Sequence, residues 1–252
     1  KYWKLTYNPD YKIKYNDALQ EIKYLVEKSV ERTLISDVPL SIMLSGGVDS
    51  ATIFGIAKKK FNKNFKSFSI IDNDDRYNEI KNLNLSTKYL KGRNIKLRLS
   101  KKNNNNFIKL NDLIGYHFKP VLTISSFLSS LLTKKIKNHN IKVNLSGIGA
   151  DEVFSGYYDH TLFYLSVIKN EKFFDKNFSF WKKNYKKNIR NPFLKNEKYV
   201  LRNKNFRKYI FETNSDLYSL STKKIISNFK EKNFTIDVLR NRMLNESFFE
   251  TV

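Results

Sequence analysis

The chain has 252 residues, 47 Lys and Arg against 24 Asp and Glu, a net charge of +23 and no cysteine. The absence of cysteine excludes a disulfide framework, a thiolate-ligated zinc or iron–sulfur centre and a cysteine nucleophile within these residues. His117, His139 and His160 stand singly, which argues against a histidine-rich metal centre, and no run approaches the roughly 20 apolar residues of a membrane helix.

Charge speaks to solubility and association rather than to fold. Counterion release would reward a nucleic-acid partner, yet Lys is spread through every segment, and no zinc-knuckle or RNA-binding aromatic motif accompanies it. Lys58-Lys59-Lys60, Lys101-Lys102 and Asn103 to Asn106 read as solvated loops and faces. A cytoplasmic protein without a membrane or nucleic-acid partner is expected.

In chain order, Asn16 to Leu34 places Leu19, Ile22, Leu25, Val26 and Val30 on one face of an amphipathic helix. Val38 to Leu44 reads as a buried strand, followed by a Gly-Gly turn and a helix from Asp49 to Lys60. Phe65 to Ile71 is a second strand and Tyr77 to Lys91 a helix; Asn94 to Leu99 alternates Ile95, Leu97 and Leu99 with polar residues as a third strand. Helices at Asn105 to Phe118 and Ser125 to Asn138 lead into a fourth strand, Ile141 to Leu145, and a helix from Asp151 toward Ile168. Strands separated by helices predict a doubly wound α/β domain with a parallel sheet, because parallel crossovers are long and usually helical. From about Asn170 the pattern turns to aromatic and basic helices without a clear strand. The expected division is therefore residues 1–169, a nucleotide-binding domain, and 170–252, a helical continuation.

Two segments concentrate glycine: of the eight in the chain, Gly46, Gly47, Gly147, Gly149 and Gly156 lie in them. The first is Ser45-Gly46-Gly47-Val48-Asp49-Ser50, at the end of a strand and the start of a helix. Glycine lets backbone N–H groups face a ligand, and a helix start adds unpaired donors and a positive dipole end, a combination suited to phosphate. A plain helix start capped by Asp or Ser is the structural alternative. There is no Lys-Ser/Thr pair after a four-residue spacer, so this is not a Walker loop. The second segment runs from Leu145 to Tyr157 as LSGIGADEVFSGY. There Asp151 and Glu152 either cap a helix or, in the case of Asp151, hold Mg²⁺, since hard cations take carboxylate and phosphate oxygens.

The first string resembles the SGGxDS signature of the PP-loop ATP pyrophosphatases, and the pair resembles the synthetase domain of the asparagine synthetase family, including β-lactam synthetase. Further resemblance lies in Tyr2-Trp3, Ser36-Asp37-Val38-Pro39, Ser67-Phe68-Ser69-Ile70 and Leu239-Arg240-Asn241-Arg242-Met243. The family implies that Leu44, Ser45, Gly46, Gly47, Asp49 and Ser50 contact ATP, that Ser69 and Ile70 flank the adenine, and that Ser146 and Gly147 face the AMP moiety. It implies Mg²⁺ between Asp49 and Asp151. The chemistry implied is adenylation of a substrate carboxylate with release of pyrophosphate, then attack by ammonia to leave an amide. Ammonia in the family comes from an N-terminal glutaminase domain with a first-residue Cys, and a further C-terminal stretch carries a catalytic Lys. Neither is seen in these residues, and no catalytic residue is assigned.

Two departures bear on the acceptor. The third position of the second motif, usually acidic in asparagine synthetases, is Ile148, and Phe118-Lys119 precedes Pro120 where an acidic pair is common. ATP activation is compatible with both, but aspartate as acceptor does not follow, and a sugar uronic acid is an alternative. A PP-loop tRNA-modifying enzyme and a non-catalytic descendant are the other readings.

Overall fold

The computed structural model describes residues 6–72, 79–99, 106–121, 123–211 and 231–250. Tyr2-Trp3, Tyr77, Lys101-Lys102 and Asn103 to Asn105 of the expectations above lie outside them. The chain divides into two compact units, one of Asp10–Ile148 and the other of Gly149–Val252 with Lys1–Pro9. The change in composition near residue 170 falls inside the second unit.

The first unit is built on four short parallel strands, β1 (Leu40–Met43), β2 (Lys66–Ile71), β3 (Asn94–Arg98) and β4 (Val143–Leu145), in the order β3-β2-β1-β4. Between them come α2 (Val48–Lys59), α3 (Ile80–Tyr89), α4 (Asn106–His117) and α5 (Ile124–Lys137), with α1 (Tyr15–Thr33) ahead of the sheet. This is the expected doubly wound parallel α/β arrangement. Alternation along the strands sends residues to two cores. On one face Ile42, Leu44 and Ile71 pack with Phe54 of α2 and with Leu83 and Leu90. On the other, Phe68 packs with Leu132 and Ile136 of α5, and Met43, Ile70, Ile95 and Leu97 join them.

Polar side chains are used inside this sheet too. Ser41 is fully buried and its hydroxyl donates to Asn144 Oδ1 on the neighbouring strand at 2.9 Å. Ser67 and Ser69 are buried as well, and the Asn94 amide donates to both hydroxyls, at 3.0 and 2.8 Å.

Helix α1 is covered over only part of its apolar stripe. Only its C-terminal end is buried, with Val30 and the following Leu34 packed against Ala57 of α2. Leu19, Ile22 and Leu25 stay about half exposed.

The second unit is helical: α6 (Ala150–Phe154), α7 (Tyr158–Val167), α8 (Phe174–Asn184), a 3₁₀ turn at Lys186–Asn188, α9 (Pro192–Lys195), α10 (Lys198–Arg202), α11 (Lys208–Phe211), α12 (Val238–Asn245) and a π turn at Glu246–Glu250. No strand occurs among its described residues, as the change of pattern near residue 170 predicts. Leu162, Phe163 and Leu165 of α7 pack with Trp181, Ile189 and Val200 as its core. The single helix expected from Asp151 toward Ile168 is broken into α6 and α7, because Ser155 takes φ 68° and cannot propagate a right-handed turn. Buried Asn241 and Asn245 accept the amides of Phe234 and Lys232, both at 2.8 Å, and so anchor the strand-free stretch ahead of α12.

Phe54 is wholly buried, and a Cβ added at Gly92 would lie 2.4 Å from its ring. Phe54→Ala is therefore expected to destabilise the fold by about 3–5 kcal/mol in urea unfolding. Gly92→Ala should also destabilise, because the ring has to move to admit the methyl group. A Phe54→Ala midpoint equal to wild type would contradict this packing.

Candidate active site

In a parallel sheet, successive crossovers leave a crevice wherever neighbouring strands send their connections to opposite sides, at the carboxyl ends of those strands. Here that place lies between β1 and β4. Ile42 stands opposite Leu145, so the loops that leave the two strands, Leu44–Gly47 and Ser146–Ile148, start side by side. Both carry the glycine motifs.

The first loop is held by its own serines. The Ser50 hydroxyl accepts the Ser45 amide at 3.1 Å and lies 3.0 Å from the Ser45 hydroxyl, which in turn accepts the Gly47 amide at 2.9 Å. Gly47 is the N-cap of α2 and supplies no side-chain cap, while Asp49 lies in the helix's first turn. The orphan N–H groups of a helix start are thus left for another acceptor. From β2, the buried Ser69 hydroxyl donates to the Leu44 carbonyl, which fixes the point where the chain leaves β1. Ile70, on the opposite face of β2, joins the α5 core.

Gly46 shows directly what this turn accepts. Its amide donates to the carboxylate of Glu79 at 2.9 Å, and a Cβ at Gly46 would lie 2.3 Å from Glu79 Cβ. An anionic oxygen therefore already sits on the turn. Glu79 lies 33 residues from Gly46 and escaped the sequence reading; the only hint was an acid near the start of an expected helix.

The second loop is pressed onto the first. A Cβ at Gly147 would lie 2.9 Å from the Ser50 nitrogen and 3.0 Å from Asp49 Cβ. Only a residue without a side chain allows this approach. Ser146 accepts the Ile148 amide at 3.1 Å, and the Ile148 side chain is 80% exposed. The structure thus brings Leu44, Ser45, Gly46, Gly47, Asp49, Ser50, Ser146 and Gly147 to one place in the first unit.

Asp151 belongs to the second unit. Gly149 takes the left-handed conformation, φ 96°, at the N-cap of α6. Asp151 follows within that short helix, and a Cβ at Gly156 would lie 1.6 Å from Asp151 Oδ1. Glu152 is buried and accepts the Tyr157 hydroxyl at 2.7 Å. Burial, with Glu152 beside it, pushes the Tyr157 phenol well above its ordinary range.

Of the three histidines, His160 does join acids: donor atoms of Asp159, His160 and Glu246 lie within 4.8 Å of one another in the interior of the second unit. The positive charge there is already supplied. Arg242 lies 2.8 Å from Glu246 and 3.5 Å from Asp159, and Tyr209 donates to Asp159 at 2.7 Å. A cation would have to displace or face a guanidinium, so this is an internal ion network. Two adjoining cavities, of about 870 and 460 Å³, lie along α4 and α5; Lys109 and Lys134 line both, and no motif residue does.

The fold and this crevice define a parallel α/β domain with paired glycine loops at its switch point. A family model described as asparagine synthase matches residues 21–229, and the chain belongs to that family. It is similar to glutamine-hydrolyzing asparagine synthetase 1 of Bacillus subtilis (strain 168), 29% identical over 156 residues, 62% of this chain and 24% of the relative. It is also similar to glutamine-hydrolyzing asparagine synthetase 1 of Arabidopsis thaliana, 29% identical over 174 residues, 62% of this chain and 28% of the relative. The corresponding enzyme 1 of Saccharomyces cerevisiae is 28% identical over 167 residues, 54% of this chain and 29% of the relative. The chain thus spans less than a third of the length of these relatives. No helix among the described residues is long and apolar enough to cross a membrane.

The contact at Gly147 generates a test. Gly147→Ala pushes a methyl group into the Asp49–Ser50 backbone and is expected to weaken anion binding at the turn by at least about tenfold, roughly 1.4 kcal/mol. Titration with pyrophosphate by calorimetry checks it, with thermal melting as the control for folding.

Proposed function

We propose that the chain is the synthetase portion of an ATP-dependent, amide-forming ligase, with Mg²⁺ and ATP at the crevice between β1 and β4. The single observation that carries this reading is the seat of the two glycine loops side by side at the carboxyl ends of those strands, with an anionic oxygen on the Gly46 amide. Both motifs fall within residues 1–169, which are read as the nucleotide-binding part; 170–252 are read as its helical continuation.

The residues suit an ATP-metal pair. The Gly46 amide, now on the Glu79 carboxylate, and the N–H groups of the first turn of α2 would take phosphate oxygens, and Asp49 stands in that first turn. Gly147 leaves room for the backbone and Cβ of Asp49, and Gly156 leaves room for the Asp151 carboxyl group. The two acids would hold Mg²⁺. When bound, it would neutralise charge on the departing pyrophosphate.

The reaction proceeds in two displacements. A carboxylate oxygen of the acceptor attacks the α-phosphorus, and the bond to pyrophosphate breaks. Ammonia then attacks the acyl carbon, and AMP leaves with the oxygen it received. The protein's share is positioning: the Ser45–Ser50 pair fixes the loop, Ser146 and Gly147 face the AMP moiety, and Ser69 and Ile70 flank the adenine, Ile70 through its backbone at the end of β2, since its side chain lies in the α5 core. Ammonia would come from a glutaminase domain, as the names of the relatives suggest.

The acceptor is read from Ile148. An exposed apolar side chain there offers no carboxylate to an acceptor ammonium, whose desolvated charge needs a partner. A carboxylate without an adjacent amine, such as a sugar uronic acid, fits better than aspartate.

Calorimetry with Mg-ATP should show binding that Asp49→Ala weakens by about tenfold or more; no binding to the folded wild type would reject the nucleotide assignment. For the acceptor, pyrophosphate release is measured with aspartate and with nucleotide-linked uronic acids in the full-length protein. Wild type should respond to the uronic acid, and Ile148→Glu should gain response to aspartate. Strong aspartate-dependent release by the wild type would overturn the argument from Ile148.

A further inference from the structure

The turn that closes the second motif is strained and needs an external hold. Ser155 has φ 68° and ψ 142°, and among the described residues of the second unit no other non-glycine residue has positive φ. Such a conformation costs on the order of 1–3 kcal/mol and persists only where its surroundings impose it. The next residue, Gly156, lies against the Asp151 carboxylate. A relaxation of Ser155 would therefore move the floor beneath Asp151.

A segment some ninety residues later acts on both sides of this turn, once through His160 and once on α6. The Gly156 amide donates to His160 Nδ1 at 3.3 Å. Since Nδ1 accepts, the proton of the neutral ring is on Nε2, which donates to Glu246 at 2.7 Å. His160 is wholly buried and Glu246 nearly so. The other Glu246 oxygen is held by Arg242 one turn earlier, at 2.8 Å, and Arg242 also reaches Glu231 at 3.2 Å. The neighbouring Ser247 hydroxyl donates to the Glu152 carbonyl at 3.3 Å. One contact grips the end of the turn and the other grips the helix that carries Asp151.

We propose that Glu246 and Ser247 are positioning residues for Asp151: Glu246 acts through the His160 ring on the Gly156 amide, and Ser247 acts on the Glu152 carbonyl. This rests on the reading of Asp151 as a metal ligand. In the sequence the two residues lie just beyond the Leu239–Met243 string, without any sign of a site. A residue that orients a metal-bound carboxylate tunes affinity for the ion more than it tunes the fold. Removing such an outer partner costs about tenfold to a hundredfold in metal affinity.

The test uses the full-length protein with Mn²⁺ as the probe, read by water-proton relaxation in the presence of a non-hydrolysable ATP analogue. Glu246→Ala should raise the Mn²⁺ dissociation constant by about tenfold or more, with nucleotide affinity measured without metal unchanged. Glu246→Gln, which keeps an oxygen for the His160 ring, should restore most of the loss. Tyr209→Phe, which cuts the same ion network on its far side, should leave Mn²⁺ affinity as in wild type. Should Glu246→Ala fail to fold, Ser247→Ala decides: weaker Mn²⁺ binding in a protein that melts like wild type supports the proposal. Wild-type Mn²⁺ affinity in a folded Glu246→Ala, or in Ser247→Ala, overturns it. No Mn²⁺ binding by wild type would instead overturn the underlying assignment of the metal site.

Discussion

The close approach of Gly147 to the first turn of α2 is the constraint on which the candidate site depends. Two loops from adjacent parallel strands would ordinarily be kept apart by side chains. With a bare Cα at residue 147, the backbone after β4 settles against Asp49 and Ser50. The strand pairing makes this possible, because Ile42 and Leu145 stand opposite each other one or two residues before the chains turn. The Ser45 and Ser50 side chains then hold the shape of the first loop.

Asp49 and Asp151, the two acids proposed to hold Mg²⁺, are supported differently. Asp49 sits on a twelve-residue helix rooted in the sheet core. Asp151 sits on a five-residue helix that ends in a left-handed serine. Too short to be stable by itself, α6 takes its order from tertiary contacts. Ser247 on the Glu152 carbonyl and His160 on the Gly156 amide supply those contacts, with the ion network of Arg242, Asp159, Glu231 and Glu246 behind them. A buried charge network is weak evidence for net stability, but partly broken it is costly. That asymmetry makes it a stiff support.

Much of the first unit was legible in the sequence. Short β-branched and aromatic runs such as Lys66–Ile71 alternate with helical periods, and glycine pairs mark the turns. These are local signals, and the parallel sheet with helices on both faces follows from them. What was not legible depends on distance along the chain. Glu79 on the Gly46 amide and Glu246 on His160 join residues 33 and 86 positions apart, with no periodicity to announce them. The break at Ser155 was missed because an unbroken helix and a helix-turn-helix share the same apolar pattern there. For α1, amphipathic periodicity shows which face is apolar but not how much of it a neighbour covers.

The Ser41–Asn144 bond inside the sheet has a further consequence. β4 is only three residues long and none of its residues is fully buried, so apolar pairing alone defines its alignment with β1 poorly. Sliding β4 by one residue would turn the Asn144 amide to the opposite face and take from the buried Ser41 hydroxyl the nearer of its two β4 acceptors. Weakly specified strands are prone to such slips. A single hydrogen bond in the interior thus acts as a vernier, selecting the one alignment in which the glycine of the second loop arrives over the start of α2.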